Sequence, residues 1–152
     1  MAKILVPVDF SDASGKLLSE AEDTARLRSA SLLLLHVIEP VAETPVAGTD
    51  PALSPMMGLP DFDAEQRIAA ERLGKIAGEI AARGIDCTAE VKFGLPAEEI
   101  LGAAAQSGAE LVVMGSHGHG AVYHLFTGSV VTGVLRRVDC PVLVVPLRQK
   151  HT

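Results

Sequence analysis

The chain has 152 residues, of which 48% are apolar and 21% charged, the size and balance of one globular domain with a real core. Aromatic residues make up only 3% and there is no Trp, so that core has to be built from Ala, Val, Ile and Leu. The net charge of −6 argues against a nucleic-acid surface, which needs a basic stripe, but leaves a phosphate ligand open, because backbone N–H groups bind anions without net positive charge.

No apolar run approaches the ~18 residues of a membrane span, and the start "MAKILVPVDFSD" is too short in its apolar run for a signal peptide. The expectation is a soluble cytoplasmic protein. Cys87 and Cys140 make no disulfide framework and read as small core residues.

Lys3 to Val8, "KILVPV", reads as a short buried strand leading to Asp9. Ser11 or Asp12 is expected to cap a helix in which Ala13, Leu17, Leu18, Ala21, Ala25 and Leu27 recur at helical spacing. Ser31 to Val37, "SLLLLHV", is a continuous apolar run, the mark of a strand covered on both faces as in a parallel sheet. His36 within it reads as a satisfied core histidine. From Glu39 to Asp61 the composition changes: Pro40, Pro45, Pro51, Pro55 and Pro60 rule out a regular helix or central strand, and the segment is expected to be a mobile excursion.

A second helix is expected from Phe62 to Arg83, with Phe62, Ala69, Leu73, Ile76, Ala77 and Ile80 on one face and Gly84 ending it. "IDCTAEVKF" alternates at Ile85, Cys87, Ala89, Val91 and Phe93, a strand with one wetter face near a sheet edge. Pro96, Glu98 and Glu99 open a third helix, which Gly108 closes. "ELVVMG" is a fourth strand, Ser129 to Arg137 a fourth helix, and Cys140 to Pro146 a fifth strand. Arg136 and Arg137 either neutralise the C-terminus of that helix or pair at the surface.

Strands alternating with helices imply a doubly wound parallel α/β sheet with right-handed crossovers. With strand order 3-2-1-4-5 the reversal lies between the first and fourth strands, which puts Asp9 beside Gly115 at the place where such sheets bind ligands. The same order separates Cys87 and Cys140 onto opposite edges. The last strand's "VLVV", Val142 to Val145, leaves an apolar edge, and such edges are normally covered or paired.

The segment after the fourth strand, "GSHGHGAVYHLFTGSV", carries Gly115, Gly118 and Gly128–Ser129 in the spacing G-x-x-G-x9-G-[ST]. A glycine-rich turn running into a helix start, with unpaired N–H groups and a favourable dipole, is physically a phosphate cradle. It is neither a Walker loop nor a dinucleotide fingerprint. His117, His119 and His124 invite a zinc reading, but His-x-His suits one metal poorly and no Cys or carboxylate completes the set nearby.

Three stretches, "KILVPVDFSDAS", "LLLLHVIEP" and "LVVMGSHGHGAVYHLFTGSVVTGVLRRVDCPVLVVP", resemble the universal stress protein family, and the glycine spacing is that of its ATP-binding branch. The resemblance covers nearly the whole chain except the Pro-rich segment. It implies a single domain over residues 1–148, an adenine nucleotide alpha-hydrolase-like fold, and a homodimer through the last strand, with a tetramer as the larger assembly. It further implies that ATP, or ADP or AMP, is held between the first and fourth strand ends together with Mg2+. Carried over position by position, Asp9 matches the aspartate near the ribose and the metal-bound phosphates, which makes its role toward magnesium indirect. Pro7 and Val8 match residues lining the adenine side, and Val37 the residue whose backbone pairs with the adenine edge. Met114, Gly115 and Gly118 match positions along ribose and phosphates, Gly128, Ser129 and Val130 the phosphate-binding helix start, and His117 an often basic position. No role transfers to His119 or His124. The loop offers no Lys or Arg finger, which suits holding nucleotide more than cleaving it. The expected function is an ATP-dependent switch in stress regulation, with no residue assigned a catalytic role; a slow ATPase or other adenylate-using enzyme and a scaffold with a structural nucleotide are the alternatives.

Overall fold

The computed structural model describes residues 1–40, 62–116 and 129–147. In chain order these form β1 (Lys3–Pro7), α1 (Ser14–Arg28), β2 (Ser31–Ile38), α2 (Phe62–Ala82), β3 (Cys87–Phe93), α3 (Pro96–Ser107), β4 (Leu111–Gly115), α4 (Ser129–Arg137) and β5 (Val142–Val145). The strands form one parallel sheet in the order β3-β2-β1-β4-β5, the order expected from the sequence. Observed element ends differ from the expected ones by a residue or two, the usual fraying of a boundary.

The strand runs without alternation make sense once both faces of the sheet are covered. Because side chains alternate along a strand, Ile4, Val6, Val8, Leu32, Leu34, Leu111 and Val113 join Leu17, Ala21 and Ala25 of α1 and Leu73, Ala77 and Ile80 of α2 in one core. Their neighbours Leu5, Leu33, Leu35, Val112 and Met114 point the other way and meet Ile100, Ala103 and Ala104 of α3 and Val134 of α4. Each Leu, Ile, Val or Met side chain among these contributes about 1.5–3 kcal/mol on burial, the alanines less. Two layers of helix therefore clamp the sheet and hold its carboxyl edge in place.

Three local expectations need correction. Leu27 does not join the α1 core face but is 88% exposed, because that face ends at Ala25. Neither Ser11 nor Asp12 caps α1: the cap position is Ala13, without a side-chain hydrogen bond. Cys87 and Cys140 are free thiols that pack against the two cores but are only half-buried, since one lies on the edge strand β3 and the other just before the edge strand β5. Gly108 does close α3, at φ 65°, a left-handed conformation in which its N–H reaches the carbonyls of the last helical turn. No helix among the described residues is long and apolar enough to cross a membrane.

Candidate functional site

The two ladders of β1 have different lengths. With β2 it runs in register to Pro7–Leu35, but with β4 it is formed at Ile4–Leu111 and Leu5–Val112 only. The cause lies in the sequence. Backbone groups alternate sides along a strand, and the Val8 N–H donates to Leu35 on the β2 side at 2.7 Å, so the nitrogen of Pro7 faces β4. A proline has no N–H to donate there, and β1 and β4 part company beyond Leu5. This is also where the strand order reverses, and a doubly wound sheet opens its ligand crevice at that point.

Asp9 stands just past the end of β1 at this opening, half-buried. Its Oδ1 accepts the N–H of Ser11 at 2.9 Å and the hydroxyl of Ser14 at 3.4 Å, so Asp9 itself organises the turn into α1. Among the described residues its Oδ2 has no hydrogen-bond partner. The next residue, Phe10, has φ 59°, a left-handed conformation that costs a residue with a side chain of order 1–2 kcal/mol. Such strain persists only where surrounding contacts hold it. Here the Phe10 ring packs on the imidazole of His36 with ring centres 4.3 Å apart, and the guanidinium carbon of Arg72 on α2 lies over the Phe10 ring, 4.5 Å from its centre.

On the opposite wall, β4 brings Met114, buried, and Gly115 to the same carboxyl edge. The chain leaving it is tied to the end of β5: Ser116 donates its N–H to Val145 at 2.9 Å and accepts the N–H of Leu147 on its hydroxyl at 3.1 Å. Lys16 of α1 donates to the carbonyl of Pro146 at 2.7 Å, closing the same corner from the β1 side. The helix α4 starts at Ser129 and Val130, and the first N–H groups of a helix lack intrahelical partners. It packs closely on α3 at Gly133, where a Cβ would come within 3.1 Å of the Ala97 methyl, and an exposed ion pair joins Arg137 to Glu98.

Val37 of β2 is half-buried, and its backbone faces β1 just as that of Leu35 does, one strand repeat later. The β1 ladder has ended by then, at Pro7. The carbonyl of Val8 is met instead by Nδ1 of His36 at 2.7 Å; a carbonyl only accepts, so Nδ1 carries the proton. His36 is thus satisfied, as expected, but half-buried at a strand end rather than deep in the core.

The structure therefore brings Pro7, Val8, Asp9, Val37, Met114, Gly115 and the α4 start at Ser129 and Val130 to the carboxyl edge of one sheet. His117, Gly118, His119, His124 and Gly128, like most of the Pro-rich segment, lie outside the described residues. Among the described residues no group of three His, Cys, Asp or Glu is placed to hold a metal ion.

Sequence reasoning missed Glu22. Its carboxylate is almost buried on α1 and takes both Nε and Nη2 of Arg83, at 3.0 and 2.6 Å, with Arg26 3.4 Å away. The hydrogen bonds from Arg83 hold its pKa below the ordinary value against the opposing effect of burial. The clue was a charged residue between Ala21 and Ala25 on a buried helix face. These groups line a groove of about 370 Å³ between α1 and α2, but they are paired with one another, and none of the sheet-edge residues reaches that groove.

Comparison with known proteins agrees with this architecture. The sequence model of the Universal stress protein family matches residues 1–146. The chain is 35% identical over 144 residues to the "Universal stress protein in QAH/OAS sulfhydrylase 3'region" of Thermus aquaticus, covering 93% of this chain and 96% of that protein. Its structure matches that of universal stress protein UspA from Lactobacillus plantarum with a TM-score of 0.76 at 29% identity, over 95% of this chain and 97% of the other. A universal stress protein from Archaeoglobus fulgidus, solved in complex with dAMP, shares the fold with a TM-score of 0.63 at 24% identity, over 95% of this chain and 97% of the other. With a family match over nearly its whole length and the same five-stranded fold, the chain belongs to the universal stress protein family.

Proposed function

We propose that this protein binds an adenine nucleotide, ATP with Mg2+, at the carboxyl edge between β1 and β4, and that occupancy of this site acts as a switch in a homodimer. The observation that carries the reading is the early end of the β1–β4 ladder at Leu5–Val112, with Asp9 on one side and Gly115 on the other. The residues fit such a ligand. One oxygen of Asp9 is held by Ser11 and Ser14 while the other has no partner among the described residues, which suits a ribose hydroxyl or a magnesium-bound water. The α4 start at Ser129 and Val130, together with Gly118 and Gly128, would meet the phosphates through backbone N–H groups. His117 would stand near the same phosphates. Pro7, Val8 and Met114 would line the nucleoside, and the backbone of Val37 would meet the adenine edge. When bound, Mg2+ would neutralise phosphate charge that this acidic chain does not neutralise with a Lys or Arg in the loop.

Dimerisation is assigned to the exposed edge of β5, whose Leu143 is 38% exposed. Ser116 and Lys16 connect that strand's end to the nucleotide edge, and in this reading they would carry nucleotide occupancy to the dimer edge. A cytoplasmic location goes with this reading. The test is mass spectrometry of ligand carried through purification, paired with thermal denaturation with and without ATP–Mg2+. The reading expects a co-purified adenine nucleotide or a rise in Tm with added ATP; neither being seen defeats it.

A further inference from the structure

His36 makes an unusual use of a strand-end carbonyl. If the parallel ladder of β1 and β2 ran one step beyond Pro7–Leu35, the Val8 carbonyl would accept the N–H of Val37. Instead the Val8 carbonyl receives the Nδ1 proton of His36 at 2.7 Å, from a side chain on the residue just before Val37. The imidazole cannot readily turn away, because the Phe10 ring packs on it at 4.3 Å and tilt 35°, and Arg72 lies 4.5 Å over Phe10. The strain at Phe10, with φ 59°, is consistent with the ring being held for a purpose at this edge.

We propose that His36 is a positioning residue for base selection: by drawing the Val8 carbonyl onto its Nδ1 it holds that carbonyl off the Val37 N–H, which stays open, beside the Val37 C=O, for a purine edge. This rests on the nucleotide-binding reading and adds a reason for its specificity. A backbone N–H beside a C=O complements the adenine edge, which offers a ring-nitrogen acceptor and an amino donor. Guanine presents the reverse, an N–H donor and a carbonyl acceptor, so both groups would be mismatched. Mismatched buried polar groups discriminate far more strongly than a difference in apolar contact. The stack of Arg72 on Phe10 on His36 serves to fix the imidazole, and none of the three needs to touch the ligand.

The experiment measures ATP and GTP affinity, each with Mg2+, in the wild-type protein and in two variants. His36→Phe keeps an aromatic ring against Phe10 but has no proton for Val8, so the Val37 N–H is freed to pair with that carbonyl. His36→Asn places an amide N–H close to the position of Nδ1 and is expected to restore the bond. Wild type should prefer ATP. In His36→Phe, ATP should weaken about tenfold while GTP changes less than about threefold, with His36→Asn close to wild type. Equal loss of ATP and GTP in His36→Phe, or an unchanged ratio, overturns the assignment even when the wild type binds ATP. Failure of the wild type itself to bind ATP removes the nucleotide reading and this assignment with it. Should His36→Phe not fold, Arg72→Ala supplies the same comparison: a reduced ATP-to-GTP ratio supports the positioning role, and an unchanged ratio overturns it.

Discussion

Arg83 grips Glu22 with two hydrogen bonds, Nε at 3.0 Å and Nη2 at 2.6 Å, and so ties the end of α2 to the middle of α1 on the side of the sheet away from its carboxyl edge. Planar guanidinium and carboxylate match in a two-point contact that lysine cannot reproduce. Arg26 adds a weaker contact at 3.4 Å from the same helix.

This pair gives the protein a specific acid sensitivity. The Glu22 carboxyl is held below its ordinary value of 4.5, first by the hydrogen bonds from Arg83. A carboxyl lowered on folding contributes stability that is fully present above its unfolded pKa and lost as pH falls through its folded one. Glu22→Gln should therefore lower Tm at pH 7 and flatten the fall of Tm below about pH 4.5. Thermal denaturation from pH 7 to pH 3 checks this; parallel curves for variant and wild type would contradict it.

Cys87 is expected to be a poor nucleophile. Burial, with Asp86 adding to it, pushes its thiol up to about 11. At pH 8 only about one thiol in a thousand would then be ionised, against roughly a quarter of an ordinary cysteine. Burial raises the Cys140 thiol as well. Mass-spectrometric timing of iodoacetamide labelling should show Cys87 reacting far more slowly than a free thiol in the native protein, Cys140 slowed as well, and both at the ordinary rate in denaturant; Cys87 labelling at the free-thiol rate in the native protein would contradict this.

Much of this fold can be read from the chain. The unbroken runs at Lys3–Val8 and Ser31–Val37 need cover on both faces, and the two separate cores supply it. The alternation from Ile85 to Phe93 marks an edge strand, and β3 is one. What escapes sequence reading depends on register and on side-chain direction. Ser11 and Asp12 look like caps, yet neither caps α1; Asp9 instead braces the turn ahead of the helix, its carboxylate taking the Ser11 N–H and the Ser14 hydroxyl on either side of that position. His36 sits in an apolar run, and nothing in its spacing reveals that its ring meets the Val8 carbonyl across the strand end. The value of Pro7 is legible only afterwards: once the alternation of backbone groups is known, its missing N–H explains where β1 leaves β4.

The edge of β5 carries the assembly claim. Val144 to Lys places a charge on a strand whose open side is proposed to face a second copy, a device that natural sheets use to prevent pairing. Sedimentation velocity should show a wild-type dimer and at least about a tenfold weaker association in Val144→Lys. A wild-type monomer, or a variant dimer of unchanged strength, would contradict this interface.

The central claim is that the edge between Asp9 and Gly115 holds a magnesium nucleotide, and isothermal titration of ATP–Mg2+ into wild type and Asp9→Asn tests it most directly. Asparagine keeps an oxygen for Ser11 and Ser14, so the turn survives while the charge is removed. The account predicts one ATP per chain in the wild type and an affinity lower by about tenfold or more in Asp9→Asn, the scale of a lost charged hydrogen bond. No binding by the wild type, or equal affinity in the two proteins, would contradict it.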